Sequence, residues 1–153
     1  MSEAVPQIDR DRLVQIVTDL VSIPSVSGDE LAIMEHVAGI FEDAGINYLV
    51  TARDPQRPNV VAWIGDGNGP TIAMNGHLDT VPVSDPDRWR TDPLTGVVSD
   101  DGKKIYGRGS SDMKGAVGVM IYTMLALKDA PLHGSLQVHI VSDEERGADF
   151  GTI

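Results

Sequence analysis

The chain contains no cysteine. That absence excludes disulfide staples, thiolate zinc sites and cysteine nucleophiles together. Basic residues are also scarce: 12 lysines and arginines face 23 aspartates and glutamates, for a net charge of −11. A surface built to neutralise phosphates is thereby excluded, and no nucleic-acid partner is expected. No apolar run approaches the ~18 residues of a membrane span, and the opening "MSEAVPQIDRDR" has no apolar h-region. A cytoplasmic protein with no membrane partner is therefore predicted. What remains is 153 residues, 41% apolar and 23% charged, the proportions of one globular domain with a core. Without thiols, any transition-metal site must use histidine and carboxylates, a donor set that suits zinc, manganese or cobalt.

Periodicity sets out the elements. In "DRDRLVQIVTDLVSI" the apolar positions 13, 16, 17, 20 and 21 form one face of a helix that Pro24 ends. In "SGDELAIMEHVAGIFEDAG", Ser27 and Glu30 have the spacing of a capping box, Ile33, Val37, Ile40, Phe41 and Ala44 form the stripe, and Gly45 closes the helix. "INYLVT", "NVVAWIG" and "TIAMN" read as strands, with "DGNGP" as a turn, and "GVVS" and "KIYG" flank "DDGK" as a hairpin. "DMKGAVGVMIYTMLALKD" reads as a buried helix, provided that a neighbour packs closely at Gly115 and Gly118. "SLQVHIV" is the last strand. This order predicts an α/β domain, a mixed sheet with helices on both faces.

Polar signals recur at element ends. His77 and Asp79 follow "TIAMN" in "NGHLDTVP", Asp112 stands where "GRGSSDMKG" enters a helix, and Glu144 and Glu145 follow "LQVHIV". Ligands of open α/β sheets bind beyond the carboxyl ends of the strands, so these three loops can meet there. The residue types fit a hydrolytic metal centre. Imidazole and carboxylate bind zinc, one aspartate can bridge two ions, and a further carboxylate can carry a proton.

Each residue also has a plainer reading. Asp79 can cap a turn, Asp112 or the serines before it can cap a helix, and "DEE" can be a solvated acidic loop. His36, His133 and His139 have no carboxylate at suggestive spacing. Gly107 and Gly109 begin a G-x-G-x-x-G pattern whose third glycine position is Asp112, and Lys114 is not in a P-loop ending. No G-x-S-x-G elbow is present.

As a set, "GHLDTVP", "YGRGSSDMKG" and "SDEERG", with "PDRWRTDPLTG" and "LVSIPSVSGDE", resemble the co-catalytic zinc amidohydrolases. That family includes acetylornithine deacetylase, succinyl-diaminopimelate desuccinylase, aminoacylase, carboxypeptidase G and related dipeptidases. The resemblance implies a zinc-exopeptidase-like catalytic domain with a mixed, mostly parallel sheet flanked by helices. It implies two divalent metal ions, zinc first, with cobalt or manganese as alternatives. His77 and Glu145 would each ligate one metal and Asp112 would bridge them. Asp79 would orient the His77 ring, and Glu144 would be the general base that activates a metal-bound water. The Asp112–Met113 peptide would be cis.

The implied substrate is a small N-acyl amino acid, cleaved at its amide bond, with a dipeptidase or carboxypeptidase as the alternative. The resemblance also implies that residues 1–153 are the N-terminal portion of such a catalytic domain. A further carboxylate ligand, a final histidine and the lid domain would lie outside them. On that expectation the piece is a weakly metal-binding fragment with little turnover of its own, a non-catalytic binding fragment is the rival, and homodimerisation belongs to the full-length protein.

Overall fold

The structure is a computed structural model that describes residues 7–151. Helix α1 spans Arg10–Ser22. Asp9 caps it by accepting from the Arg12 N–H at 3.1 Å. Helix α2 spans Leu31–Asp43, and Gly45, at φ 66°, takes the left-handed turn that ends it. The expected capping box is not formed. Glu30 occupies the N-cap position without capping, and the Ser27 hydroxyl donates instead to Asp79 Oδ2 at 2.7 Å. The helix begins at Leu31, so Ser27 lies three residues before the N-cap, out of reach of the first-turn N–H groups a capping box would satisfy.

Strands β1 (Asn47–Thr51), β2 (Asn59–Gly65), β3 (Thr71–His77) and β6 (Ser135–Val141) form one sheet in the order β1-β2-β6-β3. Strands β4 (Val97–Val98) and β5 (Ile105–Tyr106) form the small hairpin expected around "DDGK". Helix α3 spans Lys114–Leu127 and carries the chain from the hairpin to β6.

The main sheet is mixed, as expected. It is not mostly parallel: β1–β2 and β2–β6 are antiparallel, and β3–β6 is the one parallel pair among the described strands. The short loop 52–58 between β1 and β2 permits only an antiparallel return, whereas the long crossover through α3 lets β6 run alongside β3.

Alternation along the strands shows which face is buried. Val60, Ala62 and Ile64 of β2 and Leu136, Val138 and Ile140 of β6 join Leu20, Ile33, Phe41, Val117 and Ile121 in a single core. Each of the larger side chains, Val, Leu, Ile and Phe, contributes roughly 1.5–3 kcal/mol by leaving water. The described helices therefore cover one face of the sheet rather than both, and α1 lies on α3 as an outer layer. The other face presents Leu49 and Trp63 to solvent.

The two helical glycines have packing reasons. A Cβ on Gly118 would stand 2.6 Å from Cγ2 of Val17, so α1 and α3 meet there. A Cβ on Gly115 would stand 2.5 Å from the Ser110 carbonyl oxygen, where the preceding loop folds back.

Candidate metal centre

Register brings the first and third motifs together. His77 is the last residue of β3 and pairs with Val141, the last residue of the parallel strand β6. Both strands thus release their loops at one edge of the sheet, as the rule for open α/β sheets requires. Helix α3 supplies the second motif. It closes on β3 at Gly76, where a Cβ would stand 2.9 Å from Met113 and 3.0 Å from Val117. The Asp112–Met113 peptide is cis, as the resemblance implied. Met113 occupies the N-cap position of α3, so Asp112 is not the helix cap of the plainer reading.

The result is one cluster. His77, Asp112 and Glu145 each present a ligand atom within 4.8 Å of the others. Nε2 of His77 lies 3.3 Å from Asp112 Oδ1 and 3.6 Å from Glu144 Oε2. His77 is buried, whereas the side chains of Asp112 and Glu144 are 76% and 56% exposed, so the cluster opens to solvent on its carboxylate side.

Asp79 holds this arrangement from below. It is fully buried. His77 Nδ1 lies 3.0 Å from the Asp79 carbonyl oxygen and 3.3 Å from its Oδ1. Both neighbours are acceptors, so Nδ1 carries the hydrogen and Nε2 is left as the face toward the carboxylates. The backbone N–H groups of Glu144 and Glu145 donate to Asp79 Oδ1 and Oδ2 at 3.0 and 3.1 Å. Burial works to raise the Asp79 pKa, but the hydrogen bonds from His77, Ser27, Glu145 and Glu144 outweigh it and hold it at about 2. The bond to Asp79 in turn lifts His77. Burial opposes that rise, the charges of Asp79 and Glu144 add to it, and the ring is pushed up to about 9.

Glu145 is raised by burial and then by the nearby charge of Asp112. The charge of His77 works against that rise, and a bound divalent ion would take the place of its proton among the carboxylates. An Nε2 lone pair with Asp112 and Glu145 oxygens is a hard, thiol-free donor set that fits a divalent ion of the zinc type.

A deeper layer escaped sequence reasoning. Arg57, with an 11% exposed side chain, lies between two buried carboxylates: its Nη2 donates to Asp143 Oδ1, and its Nε lies 3.5 Å from Glu30 Oε2. Phe150 stacks on the guanidinium at 4.1 Å. Arg146 Nη1 donates to the Ser27 carbonyl oxygen at 3.1 Å. The buried Lys114 donates to the Ile23 carbonyl oxygen at 2.6 Å, and burial lowers its pKa to about 8. Arg57 lies in "RDPQRP", which looks like an ordinary polar turn, and nothing in its local pattern signals a buried role.

Fold and cluster together define the class: an α/β domain with a histidine–carboxylate centre at the carboxyl ends of its strands. The sequence profile of the peptidase family M20/M25/M40 matches residues 73–152, and the chain belongs to that family. It is 38% identical over 150 residues to a succinyl-diaminopimelate desuccinylase of Methylobacterium radiotolerans, an alignment covering 94% of this chain and 37% of that protein. Human carnosine dipeptidase 1 superposes with a TM-score of 0.78 at 27% identity, over 91% of this chain and 33% of that one. An M20 family metallo-carboxypeptidase of Sulfolobus solfataricus superposes with a TM-score of 0.74 at 23% identity, over 92% of this chain and 32% of that one, and shows the shared fold. The chain spans about a third of the length of the relatives it matches. No helix among the described residues is long and apolar enough to cross a membrane.

Proposed function

We propose that residues 1–153 are the N-terminal portion of the catalytic domain of a metal-dependent amidohydrolase that cleaves the amide bond of an N-acyl amino acid. One observation carries the reading: His77, Asp112 and Glu145, far apart in sequence, present ligand atoms within 4.8 Å of one another. In this reading these three would hold the metal, and Asp112 would serve both ions if two bind. A bound divalent ion supplies a Lewis acid that acidifies water and polarises the amide carbonyl.

The remaining steps belong to the chain. Asp79 fixes the tautomer of His77 and the backbone of the glutamate pair. Glu144, close to Nε2 of His77 yet half in solvent, accepts the proton of the attacking water and returns it to the leaving nitrogen. The desuccinylase relative favours a deacylase of the desuccinylase or deacetylase type. The superposition on a dipeptidase keeps a dipeptidase or carboxypeptidase as the second reading. Zinc is the ion proposed, and a cysteine-free chain suits the cytoplasm, where disulfides are rare.

Three protein groups leave each ion of a pair with two ligands, one of them shared. The 153-residue chain alone should therefore bind zinc weakly and turn over little. Titration of this chain with zinc against a chromophoric chelator tests the proposal. Weak binding that Asp112→Asn abolishes is expected. No binding would remove the metal centre, and tight uptake of two ions would show that the site is complete within these residues. Activity of the longer protein on acyl amino acids against dipeptides separates the two substrate readings.

A further inference from the structure

Beside the candidate centre lies a cavity of about 400 Å³ lined by Asp112, Glu145, Ser110, Ser111 and Arg108. It shares Trp89, Tyr106 and Arg108 with a second cavity of about 510 Å³, to which Arg88 and Arg90 also contribute. The two spaces thus share one wall, and together this trough has the carboxylates Asp112 and Glu145 on one side and Arg88, Arg90 and Arg108 on the other. In a chain of net charge −11, that concentration of cations is unusual in its composition.

The arginines are also unspent. No ion pair within 4.0 Å engages Arg88, Arg90 or Arg108 among the described residues, although Asp85 lines the same cavity. Arg108 is held in place by other means. Its guanidinium stacks on Trp89 at 5.2 Å, and its Nη2 reaches the Pro82 carbonyl oxygen at 3.4 Å, a long contact. Its Nε is buried and has no hydrogen-bond partner. With Nε shut off from solvent, the terminal Nη groups of this aromatic-stacked guanidinium are the donors available to the cavity, and they can give a planar anion two parallel N–H bonds.

We propose that Arg108, assisted by Arg88 and Arg90, forms a carboxylate-binding subsite that receives the charged end of a substrate whose amide lies at the His77–Asp112–Glu145 cluster. That the carboxylate belongs to a substrate rests on the hydrolase reading above; that the trough binds a small dicarboxylate does not. The ligand class is thus a short acyl amino acid whose carboxylate reaches the arginines while its amide stays at the cluster. A neutral substrate of the same shape would leave the donors of Arg108 open and lose the attraction.

Succinate is the test probe and succinamide its neutral counterpart, titrated into the chelator-treated 153-residue chain and followed by NMR. Succinate should shift the Arg108 Nε–H and Trp89 indole N–H signals to saturation, and succinamide should not. Arg108→Gln should weaken succinate by about tenfold or more, the effect of losing a charge-assisted bidentate contact. The double variant R88Q/R90Q alters exposed side chains only and should weaken it by about threefold or more through the lost charge.

Equal affinity for the two probes, shifts confined to His77, Asp112 and Glu145, or unaltered succinate affinity in Arg108→Gln would each overturn the proposal. If Arg108→Gln does not fold by circular dichroism, R88Q/R90Q decides, and unaltered affinity there overturns it. Zinc titration of the same samples separates the two readings: succinate binding without zinc binding removes the hydrolase and keeps the subsite, and the reverse removes the subsite alone.

Discussion

Asp79 Oδ2 accepts the backbone N–H of Glu145 at 3.1 Å, across 66 positions of sequence. The same carboxylate accepts from Glu144 N–H and the Ser27 hydroxyl and faces the ring of His77. One buried side chain therefore joins the end of β3, the turn after β6 and the loop before α2. It aims the imidazole and sets the backbone from which both glutamates project.

Replacing Asp79 by Asn should test that double role. The amide retains one acceptor oxygen, and its NH2 group would face an N–H or hydroxyl donor. A loss of about 2–4 kcal/mol is expected, the range for breaking a buried charge-assisted network. Urea unfolding reads the loss. NMR titration of His77 should show its pKa falling from about 9 toward the ordinary 6.5. An unshifted imidazole in a stable Asp79→Asn protein would contradict the orienting role.

The same pair sets a pH dependence in the metal-free protein. The folded pKa of His77 is raised from 6.5 to about 9, so its contribution is complete below 6.5 and is lost as pH rises through about 9. The folded pKa of Asp79 is lowered from 3.8 to about 2, so its contribution is present above 3.8 and is lost as pH falls through about 2. The denaturation midpoint in chelator should thus be highest between roughly pH 4 and 6.5, and His77→Gln should flatten the alkaline fall. A divalent ion that takes Nε2 of His77 must displace its proton at neutral pH. Calorimetry in buffers of different ionisation enthalpy should therefore show about one proton released per ion bound.

Arg57 is a second support of the turn that carries the glutamates, through Asp143. It neutralises Glu30 and Asp143 in a site where Glu30 is 0% exposed, and burial raises the Glu30 pKa against the opposing Gly28 N–H and Arg57 charge. Arg57→Met would strand two buried carboxylates and should cost about 3–5 kcal/mol. Adding Glu30→Gln should restore part of that, because one stranded charge is gone. Because a raised carboxyl pKa makes the folded state bind its proton more tightly, the Arg57→Met deficit should also shrink as pH falls toward 4.5. Additive losses in the double variant, measured by urea unfolding, would show that the two residues do not share one network.

Much of this layout was legible in the residues themselves. Strand β6 matches "SLQVHIV" and β2 matches "NVVAWIG" to the residue, because apolar side chains alternate in the first and run unbroken for five residues in the second, each between clear turns. The three motif loops stood out because histidine and acids sit where apolar periodicity stops. What stayed hidden is non-local. Ser27 and Glu30 have capping-box spacing, yet their side chains answer to Asp79 and Arg57, partners 52 and 27 positions away, so no window of sequence contains the choice. The parallel fraction of the sheet was overestimated for a similar reason. The resemblance implied a mostly parallel sheet, and no strand's composition says that β6, last in sequence, inserts antiparallel to β2 beside β3. The Arg108–Trp89 stack likewise joins two loops that each read as polar surface.

Two glycine-to-alanine changes should move stability in opposite directions. Gly39 lies inside α2 with nothing within 4 Å of the position its Cβ would take, so alanine there adds helix propensity without a clash. A gain of about 0.5–1 kcal/mol is expected. Gly118 lies inside α3, where the same gain is available, but its Cβ would stand 2.6 Å from Val17 Cγ2 and 3.5 Å from Val17 Cα. A β-branched side chain cannot swing aside cheaply, so overpacking of about 1–3 kcal/mol should win over propensity. Val17→Ala removes the methyl in the way. The double variant Val17→Ala/Gly118→Ala should therefore be more stable than the sum of the two single losses allows, and that coupling is the measurement of interest. Simple additivity would mean that α1 and α3 do not meet at this pair.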